Sequence, residues 1–168
     1  MTREEFSKIL REKGYSYEMV DGKVVVTHKG NVDLRSLTSL PSGVEFKSEV
    51  DVYLRSLTSL PPGVEFNNGG GVYLESITSL PPVVEFKNKN GVHLESLTSI
   101  SSGVEFKNGG NVFLQSLTSI PPGLEFKNGL YVNLKYLIGE WSRDWKGNIK
   151  GIDSKSLLNF MIKQELFI

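Results

Sequence analysis

Hydrophobic and polar positions repeat along the chain with a period of 20 residues. The triplet Val44-Glu45-Phe46 returns in every following repeat, up to Leu124-Glu125-Phe126. A second triplet, valine and leucine around one variable residue, recurs in step from Val32 to Leu134. The alternation in both triplets predicts two short strands per repeat, and self-similarity at a fixed short period predicts a solenoid.

A single repeat, such as Leu54 to Tyr73, contains a Pro/Gly corner and an Asn/Gly corner between its strands. Strand alternation and the spacing of the leucines predict which side chains point inward: Val64, Phe66, Val72 and Leu74, with Leu57 and Leu60 from the Ser/Thr-rich side. Equivalent residues are then expected to stack in columns about 4.8 Å apart. One polar column follows the phenylalanines: Asn68, Asn88, Asn108 and Asn128, with Ser48 in the first full repeat. We expect these amides to bond turn backbone that no strand satisfies.

The two ends of the array differ from the repeats. Thr2 to Gly14 predicts a helix with a capping box from Thr2 to Glu5, and Val24-Val25-Val26 has the phase of a degenerate first turn. After Leu137 the pattern breaks, and Asp153 or Ser154 is expected to start a second helix. The predicted organisation is an N-terminal helical cap (1–23), a repeat solenoid (24–138) and a Trp-containing loop with a helical cap (139–168), together one structural domain.

The predicted fold class is therefore mainly β, a parallel β-solenoid of about six turns with helical caps at both ends. The run Leu57-x-x-Leu60-Pro61-x-x-Val64-x-Phe66-x-Asn68 resembles the short leucine-rich repeats of bacteria, and Gly-Gly-x-Val-x-Leu is similar to phage and bacterial β-solenoid repeats. The resemblance covers Val24 to Ile138. The unit is at the short limit for leucine-rich repeats and has a second strand where many members have a helix. The sequence is compatible with both an open leucine-rich arc and a closed right-handed β-helix. The resemblance implies a protein-binding scaffold and no particular activity.

Composition narrows the function further. The chain has 19 basic and 19 acidic residues, so there is no electrostatic case for nucleic acid or an anionic membrane as partner. It has no cysteine, which excludes disulfides and thiolate metal sites and suits a reducing cytoplasm. The charged start and the lack of a membrane-length apolar run predict a cytoplasmic protein. No cofactor is expected.

Outward columns whose residues change between repeats are the best candidates for a binding site, because the scaffold does not dictate them. The outward residue of the Val-x-Leu strand reads Asp33, Tyr53, Tyr73, His93, Phe113 and Asn133. We call Tyr53, Tyr73, His93 and Phe113 the aromatic stripe. Stacked rings can simply stabilise a strand ladder, but exposed aromatic patches favour partners, and we interpret the stripe as a binding surface.

A second variable column runs beside the stripe, and we call it the charged column: Arg35, Arg55, Glu75, Glu95, Gln115 and Lys135. The charge of this column changes sign along the rod, so complementary charges on a partner would fix the register in which the partner binds. An ordinary solvated face is the alternative interpretation. The column of glutamates from Glu45 to Glu125 is accompanied by lysines two residues on, and this pair of columns is expected to serve solubility.

The remaining candidates are weaker. Trp141 and Trp145 lie in the polar break and are interpreted first as a plug and second as a binding hot spot. Glu75 and Glu95 are expected one rung apart, near the separation used by retaining glycosidases, but any outward glutamate pair in neighbouring turns has this spacing. His28 and His93 lie more than three turns apart, so no histidine metal pair is predicted. No catalytic residue is assigned, and no enzyme activity is expected.

The sequence thus predicts a non-enzymatic protein-binding repeat module. The expected contact residues are the aromatic stripe, the charged column from Arg35 to Gln115, and Trp141 and Trp145. A phage or mobile-element inhibitor of a host factor is one form that such a module takes. The alternatives are a self-assembling component of a particle or fibre, with a homo-oligomer as its unit, and more remotely a carbohydrate-active β-helix.

Overall fold

The computed structural model describes residues 1–119, 121, 124 and 126–134. These residues form one α-helix and fourteen short strands, most of them two residues long. The elements are α1 (Arg3–Glu12), β1 (Tyr17–Val20), β2 (Lys23–Val26), β3 (Val32–Asp33), β4 (Val44–Phe46), β5 (Val52–Tyr53), β6 (Glu65–Phe66), β7 (Val72–Tyr73), β8 (Ser79–Leu80), β9 (Glu85–Phe86), β10 (Val92–His93), β11 (Ser99–Ile100), β12 (Glu105–Phe106), β13 (Val112–Phe113) and β14 (Val132–Asn133).

The strands form three sheets that run along the rod. The first sheet has the order β1-β2-β4-β6-β9-β12, the second β14-β13-β10-β7-β5-β3, and the third contains β11 and β8. Apart from the antiparallel pair β1 and β2, strand pairs are parallel, and they join residues 20 positions apart, as in Val72 with Val92. The predicted parallel β-solenoid with a period of 20 residues is therefore confirmed.

The core is a set of stacked columns in the middle of the rod. Phenylalanines of the first sheet stack nearly parallel, with ring centroids 5.5 Å apart between Phe46 and Phe66 and 5.2 Å apart between Phe86 and Phe106. The side chains that alternation predicted to point inward are all buried: Val64, Phe66, Val72, Leu74, Leu57 and Leu60. Each repeat contributes one layer, so every layer is covered only by its neighbours.

The asparagine column satisfies the corner backbone, as expected. Asn88 is buried, and its side-chain Nδ2 donates to the carbonyls of Gly70, Asn90 and Gly91 at 3.1, 2.9 and 3.1 Å. Asn68, Asn108 and Asn128 make equivalent bonds. Each amide thus links the corner of its own turn to the corner of the preceding one.

The N-terminal cap contains the predicted helix and one unpredicted strand. The capping box between Thr2 and Glu5 is present, and Phe6 and Leu10 are buried against the first layer of the core. Strand β2 pairs in parallel with β4, which confirms the degenerate first turn. Strand β1 was not predicted. It forms a hairpin with β2 through Asp21 and Gly22, whose φ values of 48° and 75° are those of a tight primed turn.

The third sheet lies on the Ser/Thr-rich side of the rod, where β8 and β11 pair. It was not predicted, because this side was expected only to supply inward leucines. The predicted C-terminal helix, Trp141, Trp145 and Lys135 lie outside the described residues. Within the described part of the chain, no helix is long and apolar enough to cross a membrane.

Candidate binding face

The second sheet places the aromatic stripe in one row. In each strand the flanking valine and leucine point into the core, as Val72 and Leu74 do, so the residue between them points outward. The parallel register sets Tyr53 beside Tyr73, Tyr73 beside His93, and His93 beside Phe113. The sequence alone indicates only the spacing of these four residues, and the register shows that they form a continuous stripe across four turns.

The four rings stack face to face along the rod. Their centroids are 4.6 Å apart between Tyr53 and Tyr73, 4.4 Å between Tyr73 and His93, and 4.4 Å between His93 and Phe113, with interplanar angles of 12° to 20°. All four residues are half-buried. Because each inner ring is covered on both faces by its neighbours, a partner meets mainly ring edges. The structure therefore contains the stabilising ladder, and the same rings form part of the outer surface.

Asp51 fixes the N-terminal end of the stripe. Its Oδ2 accepts a hydrogen bond of 2.9 Å from the Tyr53 hydroxyl, and its Oδ1 accepts one of 2.7 Å from the Gly71 backbone N–H. Burial, together with the bond to Asp51, raises the pKa of Tyr53, and burial followed by the charge of Asp51 raises the pKa of Tyr73. Both phenols therefore keep their hydroxyl protons to a higher pH than an unperturbed tyrosine does.

Four described side chains of the charged column form ion pairs or hydrogen bonds with their neighbours: Arg35, Arg55, Glu75 and Glu95. Arg35 Nη2 lies 2.6 Å from Asp33 Oδ2, and Arg55 Nε lies 2.9 Å from Glu75 Oε1. The hydrogen bond from Arg35 lowers the pKa of Asp33 from 3.8 to about 2. The Arg55 guanidinium also sits over two rings of the stripe, 5.4 Å from the centroid of Tyr53 and 5.3 Å from that of Tyr73. The two columns thus form one connected surface.

The C-terminal half of this face offers acceptors. His93 Nδ1 lies 2.9 Å from Glu95 Oε1. Among the described residues, three buried side-chain oxygens of the charged column have no hydrogen-bond partner: Glu75 Oε2, Glu95 Oε2 and Gln115 Oε1. The face therefore changes from cationic side chains at Arg35 and Arg55 to acceptor oxygens from Glu75 onward.

The first sheet carries the glutamate and lysine columns, and its pairing agrees with the expected neutralisation. Lys47 Nζ lies 3.2 Å from Glu45 Oε1, and Lys107 contacts both Glu105 and, at 3.6 Å, Glu85. Lys87 holds the pKa of Glu85 below its ordinary value through a hydrogen bond. Where one repeat lacks the lysine, Asn67 Nδ2 donates to Glu45 Oε1 at 2.6 Å.

Asp51 contributes to the face and was not predicted from the sequence. A signal was available: it lies two residues before Tyr53 and therefore on the same side of the strand. Among the residues that the structure describes, no group of three His, Asp or Glu side chains lies close enough together to hold a metal ion. Glu75 and Glu95 are neighbours in successive turns, and each already has a partner, Arg55 and His93 respectively.

Comparison with known proteins assigns no family. No family model, curated protein or solved structure matches this chain. The fold is thus established by the pairing of its own strands.

Proposed function

We propose that this chain is a non-enzymatic protein-binding module whose partner contacts the aromatic stripe and the charged column. The observation that carries the proposal is the combination of two adjacent outward columns on one sheet. Their residues vary along the rod, whereas the inward columns beside them stay valine and leucine. A fixed scaffold with a variable outer face is how solenoid proteins present binding surfaces.

The chemistry of the face supports a protein as partner. Tyrosine and arginine are enriched at the energetic centres of protein interfaces, and here Arg55 lies directly against Tyr53 and Tyr73. Stacking and ion pairing hold these side chains in place before binding, which lowers the entropy lost on association. The change from Arg35 and Arg55 to Glu75 and Glu95 supplies a polarity along the rod that sets the orientation of the partner.

A charge exchange tests this proposal without removing the ion pair. Arg55→Glu combined with Glu75→Arg keeps an internal pair and the net charge, but charges of alternating sign then replace the single change from cations to anions along the face. We expect the exchanged variant to lose capture of the partner in affinity purification with the tagged chain. The matched control exchanges Lys87 and Glu85 on the first sheet, where a similar ion pair exists, and should capture as well as the parent.

The rings are tested separately. Changing Tyr53, Tyr73 and Phe113 together to Ser should abolish capture, while changing Lys87 and Lys107 to Ser should leave it intact. Because the rings stack, the thermal unfolding of the triple variant is measured first. Normal capture by a folded triple variant and by the exchanged variant would contradict the proposed site and direct attention to Trp141 and Trp145.

The proposal includes a biological setting for this module. A short leucine-rich-repeat-like protein of bacterial or phage origin that blocks a host factor in the cytoplasm fits a small, cysteine-free binding module. Size-exclusion chromatography with light scattering separates it from a self-assembling component. A fixed small species supports the binder, and growth with concentration supports assembly into a particle or fibre.

A further inference from the structure

One side of the rod carries the same hydroxyl residues in five consecutive repeats. The sequence Ser-Leu-Thr-Ser occupies 36–39, 56–59, 96–99 and 116–119, and 76–79 differs only by Ile77. The surrounding segments 36–43, 56–63, 76–83, 96–103 and 116–123 contain neither charged nor aromatic residues, although 23% of the chain is charged. We call the serines and threonines of the Ser-Leu-Thr-Ser segments the hydroxyl face.

Core packing does not account for these hydroxyls. The leucine or isoleucine of each segment is the inward residue, and Leu57, Ile77, Leu97 and Leu117 are fully buried. The threonines and the serines that follow them are exposed in all five repeats. On the second sheet, by contrast, the outward residue changes in type along the rod. An exposed column that repeats one residue type, where neither core packing nor ion pairing requires it, points to a ligand that is itself repetitive.

In the part of the chain that the structure describes, hydrogen bonds fix two threonines of the hydroxyl face but not its serines. Thr98 Oγ1 donates to the Thr78 carbonyl and Thr118 Oγ1 to the Thr98 carbonyl, each at 3.2 Å. Within the described residues, the serine hydroxyls of the face make no hydrogen bond, Ser79 and Ser99 of β8 and β11 among them. The face thus presents two bonded threonines among unbonded hydroxyls, in columns that repeat about every 4.8 Å along the rod.

We propose that the hydroxyl face binds the surface of ice, an ordered and uncharged lattice of water. Hydroxyls both donate and accept hydrogen bonds, as lattice water does. Ice rejects ions, so a face that docks on it has to be free of charged side chains, and this one is. A lattice also engages all five repeats at once, so that weak contacts add up through multivalency.

The other repetitive ligands fit less well. A charged polymer has nothing to pair with on a face without charges. A neutral polysaccharide is usually held by an exposed aromatic ring, and the hydroxyl face has none, while the rings of the aromatic stripe cover one another's faces. Binding to ordered water requires neither charged side chains nor exposed aromatic rings.

The test is the distribution of the purified full chain between slowly growing ice and liquid, together with inhibition of ice recrystallisation. The wild-type chain should be enriched in the ice. Thr78→Lys with Thr98→Lys should reduce that enrichment on the order of tenfold, because two charges interrupt the contact shared by the repeats. Asn67→Lys is the control, since it adds one lysine on the first sheet at a position where neighbouring repeats carry Lys47 and Lys87. It should behave as the wild type.

A second variant guards against loss of folding. Ser79→Lys with Ser99→Lys changes only exposed side chains without partners, and circular dichroism checks that both double variants keep the wild-type melting curve. Exclusion of the wild-type chain from ice would overturn the proposal, as would equal enrichment of the wild type and a folded double variant. Retardation by a neutral polysaccharide gel, lost in the same variants and without enrichment in ice, would reassign the face to glycan binding. None of these outcomes touches the proposed protein site, which lies on the second sheet.

Discussion

Val83 and Gly103 occupy the same corner in successive turns, and both have a positive φ: 63° for Val83 and 82° for Gly103. Gly43 and Gly63 hold the same corner in the preceding turns, with φ values of 69° and 71°. The left-handed region costs an L-residue with a Cβ roughly 1–2 kcal/mol, whereas glycine enters it freely. The Val83 residue is 73% exposed, so burial offsets little of this cost.

We therefore expect Val83→Gly to stabilise the fold by about 0.5–1 kcal/mol, the strain relieved less the greater unfolded-state freedom of glycine. Thermal unfolding of the purified variant measures the effect. Gly103→Val, the reverse change at the equivalent corner, should lower the melting temperature. A lower melting temperature for Val83→Gly would show that the valine side chain stabilises the corner by packing.

The phenylalanine column should be the most sensitive part of the core. Phe86 lies 5.3 Å from Phe66 and 5.2 Å from Phe106, ring centroid to centroid. Replacing Phe86 by Ala removes a fully buried ring between two others and should cost about 3–5 kcal/mol in the free energy of unfolding, measured by urea denaturation. Phe86→Leu, which keeps most of the volume, should cost clearly less. Equal stability of Phe86→Ala and the parent would contradict the inward assignment.

The asparagine column supplies a graded test of buried hydrogen bonding. Asn88→Ala leaves the Gly70 carbonyl without the donor that now bonds it at 3.1 Å, and should destabilise by about 1–3 kcal/mol. Asn88→Ser should lose less, because Ser48 fills the same position in the first full repeat and donates to the Val50 carbonyl at 3.4 Å. Chemical denaturation of the three proteins should rank them Asn, Ser, Ala. Any other order would show that the amide acts through its volume.

The ion pair of Asp33 and Arg35 predicts a pH dependence. The folded-state pKa of Asp33, about 2, lies below its ordinary value of 3.8, so the pair stabilises the fold fully above the ordinary value and loses this effect as pH falls through 2. Asp33→Asn should therefore reduce stability at neutral pH and differ less from the parent near pH 2. The difference should be small, because both side chains are well exposed, and smaller still at high salt.

A titration of the Asp33 carboxyl carbon by NMR measures the same pair directly. Its midpoint should move upward toward the ordinary value in Arg35→Gln, because the hydrogen bond from Arg35 is the main cause of the low pKa. A midpoint unchanged by this substitution would mean that Arg35 does not hold the carboxylate in solution.

The sequence by itself determined the repeat, the inward columns and the asparagine corners of this protein. Period and alternation decide which side of a strand each residue takes, and only stacking on neighbouring repeats buries Phe66 and Val72 together. The capping box at Thr2 and Glu5 is equally local, and so was readable in advance. The hairpin of β1 was not predicted, although its Asp21-Gly22 turn is a local signal, because this strand lies outside the 20-residue repeat.

Only the tertiary structure decided which contacts the outward side chains make with one another. Sequence numbering puts Tyr73 and His93 in one column, but whether their rings stack or splay depends on parallel register and on side-chain torsions that have no periodicity. The pairing of Arg55 with Glu75 and the bond from Tyr53 to Asp51 depend likewise on reach in three dimensions. The third sheet at β8 and β11 arises because the Ser/Thr side of one turn lies close enough to the next to bond it, a distance that only the folded rod sets.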